Sequence, residues 1–382
     1  MQLAILSLPF RYNYGHHLQA YALQTTLQRM GHNVTFLDHE FHASNKWWRY
    51  PLSLSKRAYN RYISGDKRQQ IFIEHNLNVE DSLLSTNFKQ FRAKYLPQRL
   101  NINSFERDIK PGMFDGFVVG SDQVWRPGYF TWTYQTSMSN AFLGFAHDWD
   151  IKRIAYAASF GFEDWQYNEE QTQDCAKLAQ LFDAISVRES SAVSLCERHL
   201  GTKAQHVLDP TMLLEQEDYV HIAETDCSQP TSGELMTYIL DNNPKIDNFV
   251  LKASRALGQK PFAINSRVED SHAPIEQRIQ PPIAQWLSGF MDAKFVITDS
   301  FHGTVFSIIF NKPFITIGNH QRGMTRFLSL LDMFGLSDRL ITSPDESEID
   351  KILTTAIDWS FVNKQWHTLR TQSISFLTKA LS

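Results

Sequence analysis

Apolar residues run along this chain in short, β-branched bursts set between helical periodicities, the alternation expected of strands buried on both faces of a parallel α/β sheet. In the first half, bursts over residues 3–8, 34–38, 115–120, 153–161 and 184–187 predict strands, each running into a polar or small-residue turn. Between the first two, Leu18, Ala22, Leu23, Leu27 and Met30 recur at helical spacing from about residue 17 to 30, and Gly31 follows as the helix stop. This β-loop-α-β opening is Rossmann-type, with the loop after the first strand facing ligand. Neither GxGxxG nor GxxxxGK[ST] occurs. Further helices are predicted over 169–181 and 192–199, whereas residues 42–110 read as mixed helix and loop. Near Gln205 the alternation starts again, Val207-Leu208-Asp209-Pro210-Thr211 marking the switch between domains, with strands over 236–240, 260–264, 295–298 and 313–317 and helices over 244–257, 282–291 and 325–334. The pattern over 349–381 is helical. The expected organisation is therefore a first domain over 1–205, a second over 206–345, and a helical segment over 346–382 that could cross back to the first.

The most informative stretch is 295–310. Phe295-Val296-Ile297-Thr298 is a buried strand, Val305 to Ile309 a packed helix, and the turn between them is polar: Asp299, Ser300, Phe301, His302, Gly303, Thr304. Asp299, Ser300 and Thr304 are all able to cap the helix, so free backbone N–H groups and the positive end of a helix dipole make an anion site. His302 could carry a proton to or from a ligand there, or it could be a packing residue. Ser121-Asp122-Gln123 after the 115–120 strand is a ligand turn or an ordinary turn with a capping aspartate. Arg188, where a strand becomes a helix, could grip a carboxylate or phosphate in a bidentate fork or form a salt bridge to Glu189 or another surface acid. Arg322, Arg326 and Arg339 could bring positive charge to the same end as His302.

A chain of 382 residues exceeds what a single core ordinarily holds. Its net charge of −4 and lack of a long Lys/Arg run exclude a nucleic-acid partner. Three widely spaced cysteines without a CxxC pair imply reduced thiols in a reducing compartment. His16 and His17 diverge on a helix, so no metal site is expected. No apolar run approaches the roughly 20 residues of a membrane span, and the start of the chain lacks the basic flank of a signal peptide. The expectation is a cytoplasmic protein. The aromatic, basic stretch from Trp47 to Lys67 offers either contact with the inner face of the membrane or a mobile acceptor-side loop.

Several segments carry a resemblance. Asn13-Tyr14-Gly15 with Leu18-Gln19-Ala20-Tyr21-Ala22-Leu23, Gly120-Ser121-Asp122-Gln123-Val124-Trp125, Ser186-Val187-Arg188-Glu189, Thr298 through Ser307, and Asn311-Lys312-Pro313-Phe314 together resemble the polysaccharide pyruvyl transferase family, in order and across most of the chain. The resemblance implies an α/β fold of two Rossmann-like domains facing a cleft, similar to the B-type glycosyltransferase fold, with residues 1–205 on the acceptor side and residues 206–345 on the donor side. It also implies transfer of a pyruvyl group from phosphoenolpyruvate to a pair of sugar hydroxyls as a ketal, in surface or exopolysaccharide biosynthesis, with no cofactor beyond that donor. The partners implied are phosphoenolpyruvate and a saccharide acceptor, free or lipid-linked. In that chemistry His302 would be the acid, Arg188 and the turn Ser300, Gly303, Thr304 would hold the donor's anionic groups, and Asp122 would be the base or a sugar ligand. Asn13, Ser121 and Gln123 would meet hydroxyls. One departure stands out: other branches of the family carry Arg two residues before the His, and here that position is Ser300. Either Arg322 or Arg326 takes over the contact, or the donor is bound differently or is a different one. The competing readings are a B-type glycosyltransferase using a nucleotide-sugar and a non-catalytic polysaccharide-assembly protein on the same scaffold.

Overall fold

A computed structural model describes residues 1–40, 50–62, 71–226, 231–241, 243–268, 270–318, 323–342 and 349–382. Arg322, Cys227, Trp47, Trp48 and Lys67 lie outside the described residues. The strands are β1 Gln2–Leu6, β2 Asn33–Asp38, β3 Arg99–Asn101, β4 Gly116–Val119, β5 Lys152–Ala158, β6 Ala184–Val187, β7 Gln205–His206, β8 Leu235–Tyr238, β9 Pro261–Ala263, β10 Phe295–Thr298, β11 Phe314–Ile317 and β12 Leu340–Ile341. They form two sheets, in the orders β3-β2-β1-β4-β5-β6-β7 and β12-β11-β10-β8-β9. Every pairing within them is parallel. Both orders are those of doubly wound Rossmann-like folds.

The central strands form because their side chains are apolar on both faces. β4, β10 and β11 are buried at every position, and each fully buried Val, Leu, Ile or Phe is worth about 1.5–3 kcal/mol. On the first sheet, Ala4, Leu6, Phe117 and Val119 pack to one side. Leu3, Ile5, Val118 and Ile154 pack to the other, in an apolar cluster that continues into the second domain through Met236, Val296 and Phe314. At the joint Tyr14 stacks on Trp286 with ring centroids 5.2 Å apart, and its hydroxyl donates to the Pro281 carbonyl at 2.8 Å.

Three edge strands, β3, β7 and β12, appear where the sequence pattern marked none. They are two or three residues long and paired on one side only, too short to write an apolar run. The first sheet therefore extends through His206. The helical tail is broken into Ile349–Thr354 and Trp359–Leu381, the latter capped by Asp358 accepting from the Phe361 N–H. The long helix packs on the linker between domains: Trp366 Nε1 donates to Met212 O at 2.8 Å, Arg370 Nε to Leu213 O at 2.7 Å, and the Leu208 N–H to Ser373 Oγ at 3.1 Å. Phe376 reaches back to Tyr156 of β5.

Each sheet has a switch point where the strand order reverses, between β1 and β4 in the first and between β8 and β10 in the second. The loops leaving these carboxyl ends meet across a cleft.

Candidate active site

The first group in the cleft is Asp122, in the turn after β4. Its backbone sits at φ 75°, the left-handed region that costs a non-glycine residue about 1–3 kcal/mol. The carbonyl is pinned by N–H donors from Val124 at 2.7 Å and Ser159 at 3.1 Å, and Asp122 bridges Ala158 where β5 carries a register shift. The consequence is a carboxylate held 3.1 Å from His16 Nδ1 and 3.7 Å from Arg188 Nη2. Burial alone would raise its pKa, but the His16 hydrogen bond and the charges of His16, Arg188 and His302 outweigh it, holding the carboxyl well below the usual range. His16 owes its place to Asn13, which caps the helix Tyr14–Arg29 by accepting from the His16 N–H at 3.1 Å.

Arg188, between β6 and the helix Ser190–Leu195, is 2 % exposed and lies among three carboxylates. Nη1 donates to Asp209 at 3.1 Å, Nε is 3.5 Å from Glu189, and Nη2 faces Asp122. Burial pulls its pKa down, and the charges of Glu189, Asp209 and Asp122 reverse that and push it up. Asp209, in the interdomain linker, is fixed by the Thr211 N–H at 3.0 Å and hydroxyl at 2.7 Å. Its pKa, raised by burial, is brought below the ordinary carboxylate value by His302, Arg188 and Thr211.

His302 is delivered from the other domain. Ser300 caps the helix Phe301–Ile309 by accepting from the Gly303 N–H, which starts the helix at the end of β10 and points residue 302 across the cleft. The ring is only 9 % exposed, with Nε2 3.7 Å from Asp209 Oδ2: close enough for Coulombic attraction, too far for a hydrogen bond. Phe301 carries Arg188 over its ring at 4.8 Å and Arg326 at 5.6 Å. Burial, and then the like charge of Arg188, pull the Arg326 pKa down to about 10. The buried atoms His16 Nε2, Arg188 Nε and Nη2, Glu189 Oε2 and His302 Nε2 have no hydrogen-bond partner among the described residues. Such a concentration is uncommon in a packed interior and is the mark of a site built for a ligand.

The sequence model for polysaccharide pyruvyl transferases matches residues 13–321. The chain belongs to the polysaccharide pyruvyl transferase family. It is accordingly a transferase, and the matched region holds Asn13, His16, Asp122, Arg188, Asp209 and His302. Among solved structures, UDP-GlcNAc 2-epimerase from Neisseria meningitidis aligns over 100 % of this chain and 99 % of its own, with a TM-score of 0.50 and 8 % identity, a likeness of fold alone. The glycotransferase of kitacinnamycin aligns over 98 % and 95 % at TM-score 0.45 and 13 % identity, and MurG from Acinetobacter baumannii over 99 % and 99 % at 0.42 and 11 %. A search of curated proteins finds no match. No helix among the described residues is long and apolar enough to cross a membrane.

For this family member the structure sorts the expected site residues. His302, Arg188 and Asp122 converge, and Arg326 joins them through Phe301. Other residues are engaged by the fold itself. Thr304 is fully buried, its hydroxyl held between the Ser300 carbonyl at 3.1 Å and Thr316 at 2.8 Å. Gly303 lies against Thr298, where a Cβ would come within 2.2 Å of Oγ1. Gln123 accepts from Arg126 at 2.9 Å and packs on Gly161. Ser121 is buried, its carbonyl accepting from Ser7 Oγ at 3.1 Å, while its own hydroxyl has no hydrogen-bond partner among the described residues. Arg339 turns away, its guanidinium donating to the carbonyls of Ile352 and Thr355. Two residues were not anticipated: His16, and Asp209, which had drawn notice only as part of the domain switch. Both sit just beyond a strand or helix cap, which is the local signal that marks them.

Gly15 positions the histidine. A Cβ there would lie 1.9 Å from His302 Nδ1, so Gly15→Ala must push the ring aside although alanine suits the helix better. A misplacement of about 1 Å can cost about 100-fold; we expect a turnover loss of at least tenfold with the fold retained by circular dichroism.

His17 faces the opposite way, stacked on Phe88, donating from Nδ1 to Asn13 O at 2.9 Å and accepting at Nε2 from Arg92 at 3.2 Å. Burial and then Arg92 push its pKa well below the ordinary value, and His206 is lowered by burial too. Unfolding releases these rings to protonate near pH 6.5, so the unfolded chain binds more protons and stability falls as pH drops below that value. The slope is up to about 1.4 kcal/mol per pH unit for each ring. Urea midpoints measured at pH 7.5 and 5.5 should therefore differ, with the lower at pH 5.5.

Proposed function

We propose that this protein transfers a pyruvyl group from phosphoenolpyruvate to two hydroxyls of a saccharide, forming a cyclic ketal and releasing phosphate, in the making of a surface or extracellular polysaccharide. The observation that carries the reading is the convergence, between two domains, of unpartnered buried atoms on His302, Arg188, Glu189 and His16. His302, held 3.7 Å from Asp209, gives its proton to the donor's methylene carbon. The double-bond electrons form the new C–H bond and leave C2 with oxocarbenium character. One sugar hydroxyl adds to C2 as His16 takes its proton; Asp122, bonded to Nδ1, keeps Nε2 as the base, the division of roles found in carboxylate-held histidines. Phosphate then departs with the C–O bonding pair and takes up the proton held by His16, and the second hydroxyl closes the ketal at C2 as its proton returns to His302. Arg326 is the cation best placed to take the contact that Ser300 lacks, with Arg188 over the same Phe301 ring.

Thermal shift supplies the test, because a ligand that binds only the native state stabilises it by RT ln(1 + [L]/Kd). Phosphoenolpyruvate should raise the melting temperature, the rise should shrink in Arg326→Ala, and uridine diphosphate sugars should give none. The opposite pattern, stabilisation by the nucleotide sugar alone, would transfer the chain to the glycosyltransferase reading. Acceptor arms with a free oligosaccharide and a lipid-linked one, each scored by phosphate release, distinguish the two acceptor forms.

A further inference from the structure

A cavity of about 560 Å³ opens at the second sheet's switch point, beside the charged cluster and sharing Asn13 and Ser300 with its surroundings. Its walls come from the loop after β1 and from the segments that follow β8, β9 and β10. Its chemistry differs from that of the cluster. The two guanidiniums at its rim face carboxylates of their own: Arg11 is 4.0 Å from Asp81, and Arg267 pairs with Asp270. What remains is a set of carboxamides and aromatic rings. Asn265 is oriented by its Nδ2 donating to Ile239 O at 3.0 Å, and Gln280 by its Oε1 accepting from the Ser266 N–H at 3.0 Å. Tyr12 and Tyr238 contribute rings, Tyr12 fixed by its hydroxyl donating to Asp81.

We propose that this cavity is the acceptor site and that it receives an uncharged pyranose unit. Oriented amides suit hydroxyl groups, which both donate and accept, and aromatic faces suit the C–H faces of a sugar ring. With its cations already matched by acids, the wall offers no net positive charge to hold an anion. The two substrates are thereby separated by charge: the anionic donor goes to the guanidiniums and histidines, the neutral sugar to the amide-lined cavity, and Ser300, two residues before His302, lies on the boundary. The inference rests on the transferase reading above for the identity of the donor.

Saturation-transfer NMR on the full chain tests it, using the methyl pyranosides of glucose, galactose, mannose and N-acetylglucosamine, with and without phosphoenolpyruvate. Val268→Trp fills the cavity from a half-buried position, and Asn265→Leu removes an oriented amide. At least one glycoside should give a signal in the wild type that falls at least tenfold in both variants. The melting-temperature rise on adding phosphoenolpyruvate should match the wild type in each. A glycoside signal indifferent to both substitutions, no glycoside binding in the presence of the donor, or displacement of the glycoside by uridine diphosphate would each overturn the assignment. Cavity-dependent glycoside binding by a protein that ignores phosphoenolpyruvate would instead remove the donor from the proposed function and leave the sugar site standing.

Discussion

Replacing His302 with glutamine should cut turnover by about 10²–10⁴-fold, the usual contribution of a positioned general acid, and leave the unfolding midpoint close to that of the wild type. The stability half of this expectation follows from what the ring does not do. Its Nε2 bonds to nothing among the described residues, so a glutamine amide of similar reach gives up no hydrogen bond and only the attraction to Asp209 and Asp122, both of which keep Arg188 as a partner. The catalytic half follows from where the ring is held, with Gly15 against one edge and Asp209 facing the other at 3.7 Å. An amide can occupy that space and cannot deliver a proton. The assay need not await the acceptor's identity. In heavy water, protonation of the donor's methylene carbon puts deuterium there, and proton NMR of phosphoenolpyruvate follows its entry. The wild type should show deuterium in recovered donor or in the product methyl group, and His302→Gln should show neither above background. Full isotope incorporation by the glutamine variant would take His302 out of the mechanism.

The parts of this molecule that were legible in the sequence are those where one local rule decides the outcome. β4 and β10 could be read because strands buried on both faces need apolar side chains at every position. β3, β7 and β12 could not, since an edge strand of two or three residues forms only because a neighbour offers it hydrogen bonds. The site divides along the same line. Asp122, Arg188 and His302 each follow a recognisable strand, so their position at a carboxyl end was plain. Asp209 occupies the equivalent place after β7, but with β7 unseen it read as linker. His16 and His17 are the same residue type at adjacent positions, and only the three-dimensional course of their helix sends one to Asp122 and the other to Phe88 and Arg92. Arg188 had two readings, an anion grip or a salt bridge to Glu189 or another surface acid, and the structure gives it Glu189 together with two further acids, all three in the interior of the site. At the helix start of residues 300–304, capping rules made every small polar residue a ligand candidate. The fold uses the Thr304 hydroxyl and the Gly303 backbone for close packing instead.

Arg188→Met should be the most damaging single change in the site, and the damage should appear first as lost stability. The guanidinium lies within 3.7 Å of Asp122, Glu189 and Asp209, and Glu189 and Asp209 are each 2 % exposed. Removing it leaves three carboxylates facing one another with little water to screen them, and breaking a buried ion pair from one side costs about 3–5 kcal/mol. Methionine fills much of the volume, so loss of packing contributes less than the unmatched charge. The acids do retain partners: Asp122 has His16, Asp209 has Thr211, and Glu189 accepts from Ser159 Oγ at 2.5 Å, which argues for a cost within that range rather than beyond it. Urea unfolding at pH 7.5 measures the loss, and its electrostatic origin has its own signature. Adding Asp209→Asn removes one of the stranded charges, so the double variant should recover part of the stability that Arg188→Met gave up, although Asp209→Asn in the wild-type background should be destabilising. If Arg188→Met unfolds at the wild-type midpoint, or if the two substitutions simply add, the three acids do not depend on this guanidinium. In that case Arg188 would be held for the donor rather than for the fold.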